Sequence, residues 1–107
     1  MQFDVITLFP DMFTALTASG ITRRAVEQKK CELSLWNPRD FTSDNHRTVD
    51  DRPYGGGPGM VMKADVWGDA IDSVIAEGPH EAVAPLLVVP TPTGDVFTQA
   101  RAVELAE

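Results

Sequence analysis

The sequence has one cysteine and no long apolar run, and these absences exclude several classes of protein. With Cys31 as the single cysteine among 107 residues, neither an internal disulfide nor a zinc site of four cysteines can form. We expect Cys31 to be a reduced, partly buried thiol in a cytoplasmic protein. No apolar stretch is long enough to cross a membrane, and the first residues lack the basic and apolar pattern of a secretory signal.

Basic residues are scarce in the second part of the chain. The net charge is −7, yet residues 1–63 hold eight basic and eight acidic groups and therefore balance. Residues 64–107 hold eight acidic groups and only one basic group, Arg101. A polyanion such as RNA should therefore approach the first part of the chain.

Glycine and proline are concentrated in residues 53–60, which contain four glycines and two prolines. Glycine frees the backbone angle φ, whereas proline fixes φ and removes a hydrogen-bond donor, so this segment is predicted to be an irregular loop. Charged and ring side chains come just before it. Bare backbone amides beside such groups are typical of a site for a polar ligand. The flanking residues are His46, Arg47, Asp50, Asp51 and Arg52.

Known glycine motifs do not identify that ligand. A phosphate-binding P-loop requires Gly-Lys-Ser/Thr, whereas Gly59 is followed by Met60 and Val61. The dinucleotide fingerprint requires a strand that leads directly into the glycines, and none is predicted here. A plain turn or linker is the common alternative for such a segment. The residues alone leave the ligand open.

Hydrophobic periodicity predicts an α/β fold. The order β-α-α-β-loop-α-β-α indicates a parallel sheet flanked by helices. Residues 86–89 form a continuous apolar run, as expected of a parallel strand covered on both faces. The predicted elements are a strand at 2–8, a helix from Pro10 that stops at Gly20, a helix from Thr22 to about residue 30, a strand at 31–36, a long coil at 39–60, a helix at 64–76, a strand at 86–89 and a helix capped by Thr98.

Two of the predicted helices have informative faces. The helix at 64–76 has one apolar stripe and keeps its aspartates away from it. The helix after Thr22 has four basic residues, which indicate either a solvated surface, the commoner case, or a patch for an RNA backbone. His80 lies in the turn after the third helix and is interpreted as a surface histidine. The stripe comprises Trp67, Ala70, Ile71, Val74 and Ile75, and the basic residues are Arg23, Arg24, Lys29 and Lys30.

Residues 46–60, His-Arg-Thr-Val-Asp-Asp-Arg-Pro-Tyr-Gly-Gly-Gly-Pro-Gly-Met, closely resemble the hallmark loop of the bacterial tRNA (guanine-N1)-methyltransferases. Residues 6–10, 39–42 and 90–94 extend the likeness over nearly the whole chain. The family belongs to the SPOUT class, whose catalytic domain is a trefoil-knotted α/β sheet. The resemblance implies that residues 1–107 are the N-terminal portion of that domain, without the segment that completes the knot and without the C-terminal RNA-binding domain.

The resemblance also implies an activity. It predicts methylation of N1 of the guanosine immediately 3′ of the anticodon, with S-adenosylmethionine as cofactor, tRNA as partner and a homodimer as the working form. No membrane is expected to take part, and no metal-binding residue is predicted within residues 1–107. A non-catalytic RNA- or nucleotide-binding module derived from the family is the alternative.

The family's first cofactor loop has a Ser-Pro-X-Gly core, which corresponds here to Thr91, Pro92, Thr93 and Gly94. Val89 and Pro90 replace the Tyr-Leu that usually precedes it, and this departure leaves the side-chain contacts of the loop open. Pro58 and Gly59 are expected to approach the cofactor as well. The catalytic arginine and aspartate of the family are expected beyond residue 107, so no catalytic residue is predicted within this chain.

The remaining expectations concern guanine and tRNA. Asp50 is suited to accept hydrogen bonds from the Watson–Crick edge of guanine, because that edge presents amine donors. A local role in turn capping or in ion pairs with the neighbouring arginines is the alternative for Asp50 and Asp51. His46, Arg47 and Arg52 are expected to meet phosphate or to stack, while Gly55 and Gly57 let the backbone approach the base.

Overall fold

The computed structural model describes residues 1–78 and 84–107. The described part has the mixed α/β composition that the sequence predicts, with short 3-10 turns beside its helices. In chain order the elements are β1 (Gln2–Ile6), a 3-10 turn (Pro10–Phe13), α1 (Thr14–Thr17), α2 (Gly20–Glu27), β2 (Glu32–Trp36), a 3-10 turn (Pro38–Phe41), β3 (Asp50–Asp51), β4 (Val61–Met62), α3 (Ala64–Glu77) and α4 (Gln99–Ala106).

Strands β1 and β2 pair in parallel, as predicted, with a register that runs from Gln2 opposite Glu32 to Ile6 opposite Trp36. Side chains reinforce the pairing across the strands. The indole Nε1 of Trp36 donates to the carboxylate of Asp4 at 3.1 Å, and the amide of Gln2 donates to the hydroxyl of Ser34 at 3.1 Å. These polar contacts complement the backbone ladder and favour this register.

The connection between the two strands differs from the prediction at Gly20. Pro10 begins a helical segment as expected, but that segment ends at Ala18, and Gly20 opens the next helix instead of stopping the first. Ser19 is extended and Gly20 has a φ of +68°, so the pair reverses the chain and starts α2. Thr22 is therefore inside α2 and not at its N-cap, and its hydroxyl donates to the Ser19 carbonyl.

The buried part of the molecule lies where α3 packs against the 3-10 turn at Pro38–Phe41. Pro38 is completely buried, and Val66, Ala70 and Val74 form the buried stripe of the helix. The predicted helix at 64–76 is thus confirmed within one residue. One member of the predicted stripe is wrong, since Ile75 is 49% exposed. Ile75 comes one residue after the buried Val74, which turns it by about 100° toward solvent.

The predicted strand at residues 86–89 is not formed. These four residues are in irregular backbone, pair with no strand among the described residues, and are 61–65% exposed. The physical reason is that a strand exists only through hydrogen bonds to a neighbour. The described sheets have two strands each, β1 with β2 and β3 with β4, and neither includes this run.

Two further features complete the description. No helix in residues 1–78 and 84–107 is both long and apolar enough to cross a membrane. Thr98 caps α4 as predicted, because its hydroxyl accepts a hydrogen bond from the Arg101 amide at 3.2 Å. The predicted surface role of His80 falls on a residue outside the described ranges.

Candidate functional site: a glycine-rich hairpin

The glycine-rich loop is the tip of a short hairpin, which the sequence did not predict. Strands β3 and β4 pair antiparallel, with Asp50 opposite Met62 and Asp51 opposite Val61. Val49, at the base, is 3% exposed, and its carbonyl accepts a hydrogen bond from the Lys63 amide at 2.9 Å. Residues 52–60 are therefore held at both ends by paired backbone and by one buried side chain.

The glycines of the loop are required by backbone conformation and not by crowding. Gly55, Gly56, Gly57 and Gly59 have φ between +82° and +119°, a region that other residues rarely adopt. A Cβ atom added at any of the four would meet nothing within 4 Å. The loop thus has a defined conformation with open space beside its backbone, as an approaching ligand needs.

Arg47 anchors the start of the segment to the preceding turn. Its Nη2 donates to the carboxylate of Asp40, and its Nε donates to the Arg39 carbonyl at 3.2 Å. A second hydrogen bond joins the same two residues in the opposite direction: Nη1 of Arg39 donates to the Arg47 carbonyl at 2.8 Å. The alternative in which Arg47 pairs with Asp50 or Asp51 is therefore not what this structure forms.

Asp44 organises the four residues before the hairpin, a role that the sequence reading missed. Its carboxylate accepts hydrogen bonds from the Thr48 hydroxyl at 2.6 Å and from the Thr48 amide at 3.0 Å. These bonds, the hydroxyl first, hold the pKa of Asp44 below its ordinary value. An aspartate before Asn-His-Arg-Thr is a recognisable turn signal, and it was available in the sequence.

The residues predicted to bind guanine and tRNA differ in whether their side chains already form hydrogen bonds or ion pairs within the structure. Asp51 accepts a hydrogen bond from the Arg52 amide at 2.7 Å, which is the local capping role considered as the alternative. The side chains of His46, Asp50 and Arg52 make no hydrogen bond or ion pair with any other described residue. Asp50 is half-buried, and the other two are exposed. The hairpin thus presents an unengaged carboxylate and two unengaged basic groups.

The turn at residues 91–94 is the second candidate element. The Gly94 amide donates to the Thr91 carbonyl at 3.1 Å, and the hydroxyls of Thr91 and Thr93 lie 3.2 Å apart. A Cβ atom on Gly94 would lie 3.2 Å from Cγ2 of Thr91, so glycine keeps this turn tight. Among the described residues, no hydrogen bond or ion pair joins this turn to Pro58, Gly59 or the rest of the hairpin.

The basic residues of α2 and the segment after it remain accessible. Arg23 forms an exposed ion pair with Glu27 at 3.6 Å. Arg24, Lys29 and Lys30 are exposed and form no ion pair with another described residue. This arrangement is compatible with either predicted role. For the part of the chain that is described, no group of three or more His, Cys, Asp or Glu side chains is placed to hold a metal ion.

Comparison with known proteins agrees with the sequence motifs. The chain matches the family described as "tRNA (Guanine-1)-methyltransferase TrmD" over residues 1–107. It is 61% identical over 106 residues to a tRNA (guanine-N(1)-)-methyltransferase of Janthinobacterium sp. (strain Marseille), covering 98% of this chain and 43% of that protein. Proteins of the same name from Cupriavidus taiwanensis and Burkholderia vietnamiensis are 59% and 56% identical, covering 99% and 100% of this chain and 41% of each relative.

The identity extends across nearly all of this chain, whereas the chain spans about two fifths of the length of the curated relatives it matches. The match over residues 1–107 includes both the glycine-rich hairpin and the turn at residues 91–94. The chain therefore belongs to the tRNA (guanine-1)-methyltransferase family.

Proposed function

We propose that the complete protein to which this chain belongs methylates N1 of the guanosine immediately 3′ of the anticodon of tRNA, with S-adenosylmethionine as methyl donor. The supporting observation is the 56–61% identity to proteins named as tRNA (guanine-N(1)-)-methyltransferases across at least 98% of the chain. The non-catalytic alternative is not favoured, because all three relatives have the name of the enzyme.

We propose that residues 1–107 are the N-terminal portion of the catalytic domain. The relatives are more than twice as long as this chain, which leaves room for the rest of a knotted domain and for a C-terminal RNA-binding domain. In this proposal the enzyme acts as a homodimer in the cytoplasm. Light scattering on the complete protein tests the dimer, and a monomeric mass in the active enzyme contradicts it.

The reaction needs more than this chain supplies. N1 of guanine has a proton and is a poor nucleophile, so a base must remove that proton while a positive group stabilises the charge on O6. We place the aspartate and the arginine for these tasks in the remainder of the protein. The target base must also leave its stack before its edge can be reached. Residues 1–107 then have positioning and binding roles.

Asp50 is the residue of this chain best suited to bind guanine. It lies half-buried in β3, so the hairpin restricts its side chain, and its carboxylate has no partner among the described residues. A carboxylate can accept a hydrogen bond from the exocyclic amine of a guanine edge, which leaves N1 to the base that removes its proton. The backbone at Gly55 and Gly57 leaves open space for the base, and the unengaged His46 and Arg52 suit contacts to phosphate. Arg47, already bound to Asp40, would share its exposed guanidinium with RNA.

The turn at residues 91–94 fits one wall of an adenosine site. Its backbone is tightened by the Gly94–Thr91 hydrogen bond, and its two hydroxyls remain exposed. Pro58 and Gly59 are suited to a second wall, because a Cβ atom at Gly59 would meet nothing within 4 Å. When bound, S-adenosylmethionine supplies an electrophilic methyl group on its sulfonium. The role of these residues is to orient that group and to exclude water.

A methylation assay on the complete protein tests the proposal. Labelled S-adenosylmethionine is supplied with tRNA that has guanosine 3′ of the anticodon, and with a matched transcript that has adenosine there. We expect N1-methylguanosine by nuclease digestion and mass spectrometry in the first transcript only. No product, or equal labelling of both transcripts, contradicts the proposed function.

A further inference from the structure

Tyr54 is the only tyrosine in the chain, and none of the roles above uses it. Its side chain is fully exposed, with a relative accessibility of 107%. An aromatic ring is normally at least half covered, because covering it removes a large apolar area from water. A ring that contacts nothing in residues 1–78 and 84–107 is free to contact a ligand with both faces.

The exposure of the Tyr54 ring follows from the turn at residues 53–56, which contains it. The Gly56 amide donates to the Pro53 carbonyl at 3.0 Å, and Gly55 has a φ of +82°. A positive φ at the third residue of a hydrogen-bonded four-residue turn is the signature of a type II turn. Tyr54 is then the second residue, at the outer corner of the turn, where its side chain points away from the hairpin. The backbone conformation of the turn therefore accounts for the exposure of the ring.

A cationic residue, Arg52, lies two positions before Tyr54 in the loop. Arg52 is exposed, and its guanidinium forms no hydrogen bond or ion pair with another described residue. Pro53 restricts Arg52 to extended backbone, which keeps the two side chains on one short, stiff segment. A flat ring and a free guanidinium on one loop are groups that proteins use on single-stranded nucleic acid, where bases stack on the ring and phosphates contact the cation.

We propose that Tyr54 is a tRNA-binding residue whose ring stacks on an unpaired base of the anticodon loop. This inference rests on the proposed function, because it assumes that tRNA is the substrate. The chemistry of the reaction supplies the reason for such a contact. When the target guanosine leaves its stack, the base next to it loses a stacking partner. An aromatic ring at the corner of the hairpin replaces that partner without reading the sequence, since every base has a π-face.

Three variants of the complete enzyme test the inference. Tyr54→Ala removes the ring, Tyr54→Leu keeps apolar area without a flat face, and Tyr54→Phe keeps the face without the hydroxyl. We expect Tyr54→Ala and Tyr54→Leu to raise the KM for tRNA by about fivefold to 140-fold, the range given by base–aromatic stacking. The KM for S-adenosylmethionine should stay unchanged in both. Tyr54→Phe should restore the tRNA KM to within about twofold of the parent enzyme, because stacking needs only the ring.

A salt titration separates stacking from charge. Stacking releases no counterions, so Tyr54→Ala should weaken tRNA binding without changing the slope of log K against log salt. Arg52→Gln should reduce the magnitude of that slope by about one, the value expected for the loss of one phosphate contact. If Tyr54→Ala leaves the tRNA KM unchanged, or if Tyr54→Phe is as impaired as Tyr54→Ala, the stacking inference is wrong. A parent enzyme that does not methylate tRNA contradicts the proposed function instead, so the two failures are distinguishable.

Discussion

The glycine-rich hairpin and the segment at residues 84–98 are both rich in turn-forming residues, yet they are supported differently. The hairpin is paired through β3 and β4, closed at its base by buried Val49, and tied to the preceding turn through Arg47 and Asp40. Among the described residues, the later segment has hydrogen bonds only within residues 91–94 and at Thr98, which caps α4, and all its residues are exposed. A hydrogen-bonded turn can form by itself, whereas an apolar strand requires a neighbour.

The shape of the molecule reflects the same difference. Every buried side chain in the described part lies between Pro38 and Val74. The radius of gyration is 16.2 Å, against about 13 Å for a compact domain of this length. The apolar residues 86–89 and 96–97 therefore contribute exposed surface here. Such a surface is typical of a segment that is covered by other parts of a protein.

The first prediction concerns the chemistry of the glycine-rich hairpin and has the largest expected effect on activity. Asp50→Asn keeps the size of the side chain but replaces one acceptor oxygen with a donor. If Asp50 accepts hydrogen bonds from guanine, a donor then faces a donor, at about 1–3 kcal/mol. We expect methylation efficiency to fall by about fivefold to 140-fold. The loss should appear when tRNA is varied and not when S-adenosylmethionine is varied.

The control for Asp50 is its neighbour. Asp51→Asn changes a carboxylate that already caps the Arg52 amide, and an asparagine oxygen can accept the same bond. We expect Asp51→Asn to lower methylation efficiency much less than Asp50→Asn. Equal losses in the two variants would mean that the hairpin is sensitive to charge alone and that Asp50 has no specific acceptor role.

The second prediction separates backbone strain from crowding. Gly56→Ala puts a side chain at a φ of +87°, which costs about 1–2 kcal/mol even though the site is open. Gly68→Ala is the control, because Gly68 is inside α3 with nothing within 4 Å of the added methyl group. We expect thermal unfolding to show Gly68→Ala slightly more stable than the parent by about 0.5–1 kcal/mol. Gly56→Ala should raise the KM for tRNA, and an unchanged KM would show that the loop conformation is irrelevant to binding.

The third prediction addresses the unsupported region. In the 107-residue chain, Leu87→Gln alters a side chain that is 65% exposed, so the free energy of unfolding should change by no more than about 0.5 kcal/mol. In the complete protein, the same change should cost about 2–5 kcal/mol if residues 86–89 join a sheet there. Urea unfolding of both proteins measures the two values. Equal small effects would mean that this run is surface in the complete protein as well.

Most of the local structure could be predicted from the sequence. The strands at Gln2–Ile6 and Glu32–Trp36, the helix at Ala64–Glu77 and the Thr98 cap follow from periodicity and capping residues. Gly20 was misassigned because glycine occurs both at the end of a helix and at a chain reversal before the next helix, and the pattern does not separate these uses. The short hairpin was missed because strands of two residues have no detectable period.

The candidate site was predictable to a different extent. Composition located the glycine-rich loop, and the family resemblance supplied the expected roles of Asp50 and the turn at residues 91–94. Composition could not show that Arg47 binds Asp40 and not Asp50 or Asp51, which are closer to it in sequence. That choice depends on the local backbone, and Arg47 has a left-handed conformation. Tyr54 also had no signal of its own, because its exposure results from the type II turn beneath it.

The smallest expected effect concerns the turn that precedes the hairpin. Hydrogen bonds from Thr48 stabilise the charged form of Asp44, so the pKa of Asp44 in the folded protein lies below its ordinary value of 3.8. A lowered folded pKa means that the unfolded chain binds the proton more readily. The stabilisation is therefore present above about pH 4 and is lost as the pH falls through the folded pKa.

Thr48→Val tests the cause, because it removes the hydroxyl donor and keeps the backbone amide donor. We expect the pKa of Asp44, followed through its carboxyl carbon by NMR, to move up toward 3.8 without reaching it, since the Thr48 amide still donates. Thr42→Val is the matched control, because the Thr42 hydroxyl bonds the Arg39 carbonyl and not Asp44. A pKa of Asp44 that shifts equally in both variants, or in neither, would show that the hydroxyl of Thr48 does not hold this turn. The frame of the hairpin would then depend on its other contacts, chiefly the Arg47–Asp40 ion pair, the β3–β4 pairing and buried Val49.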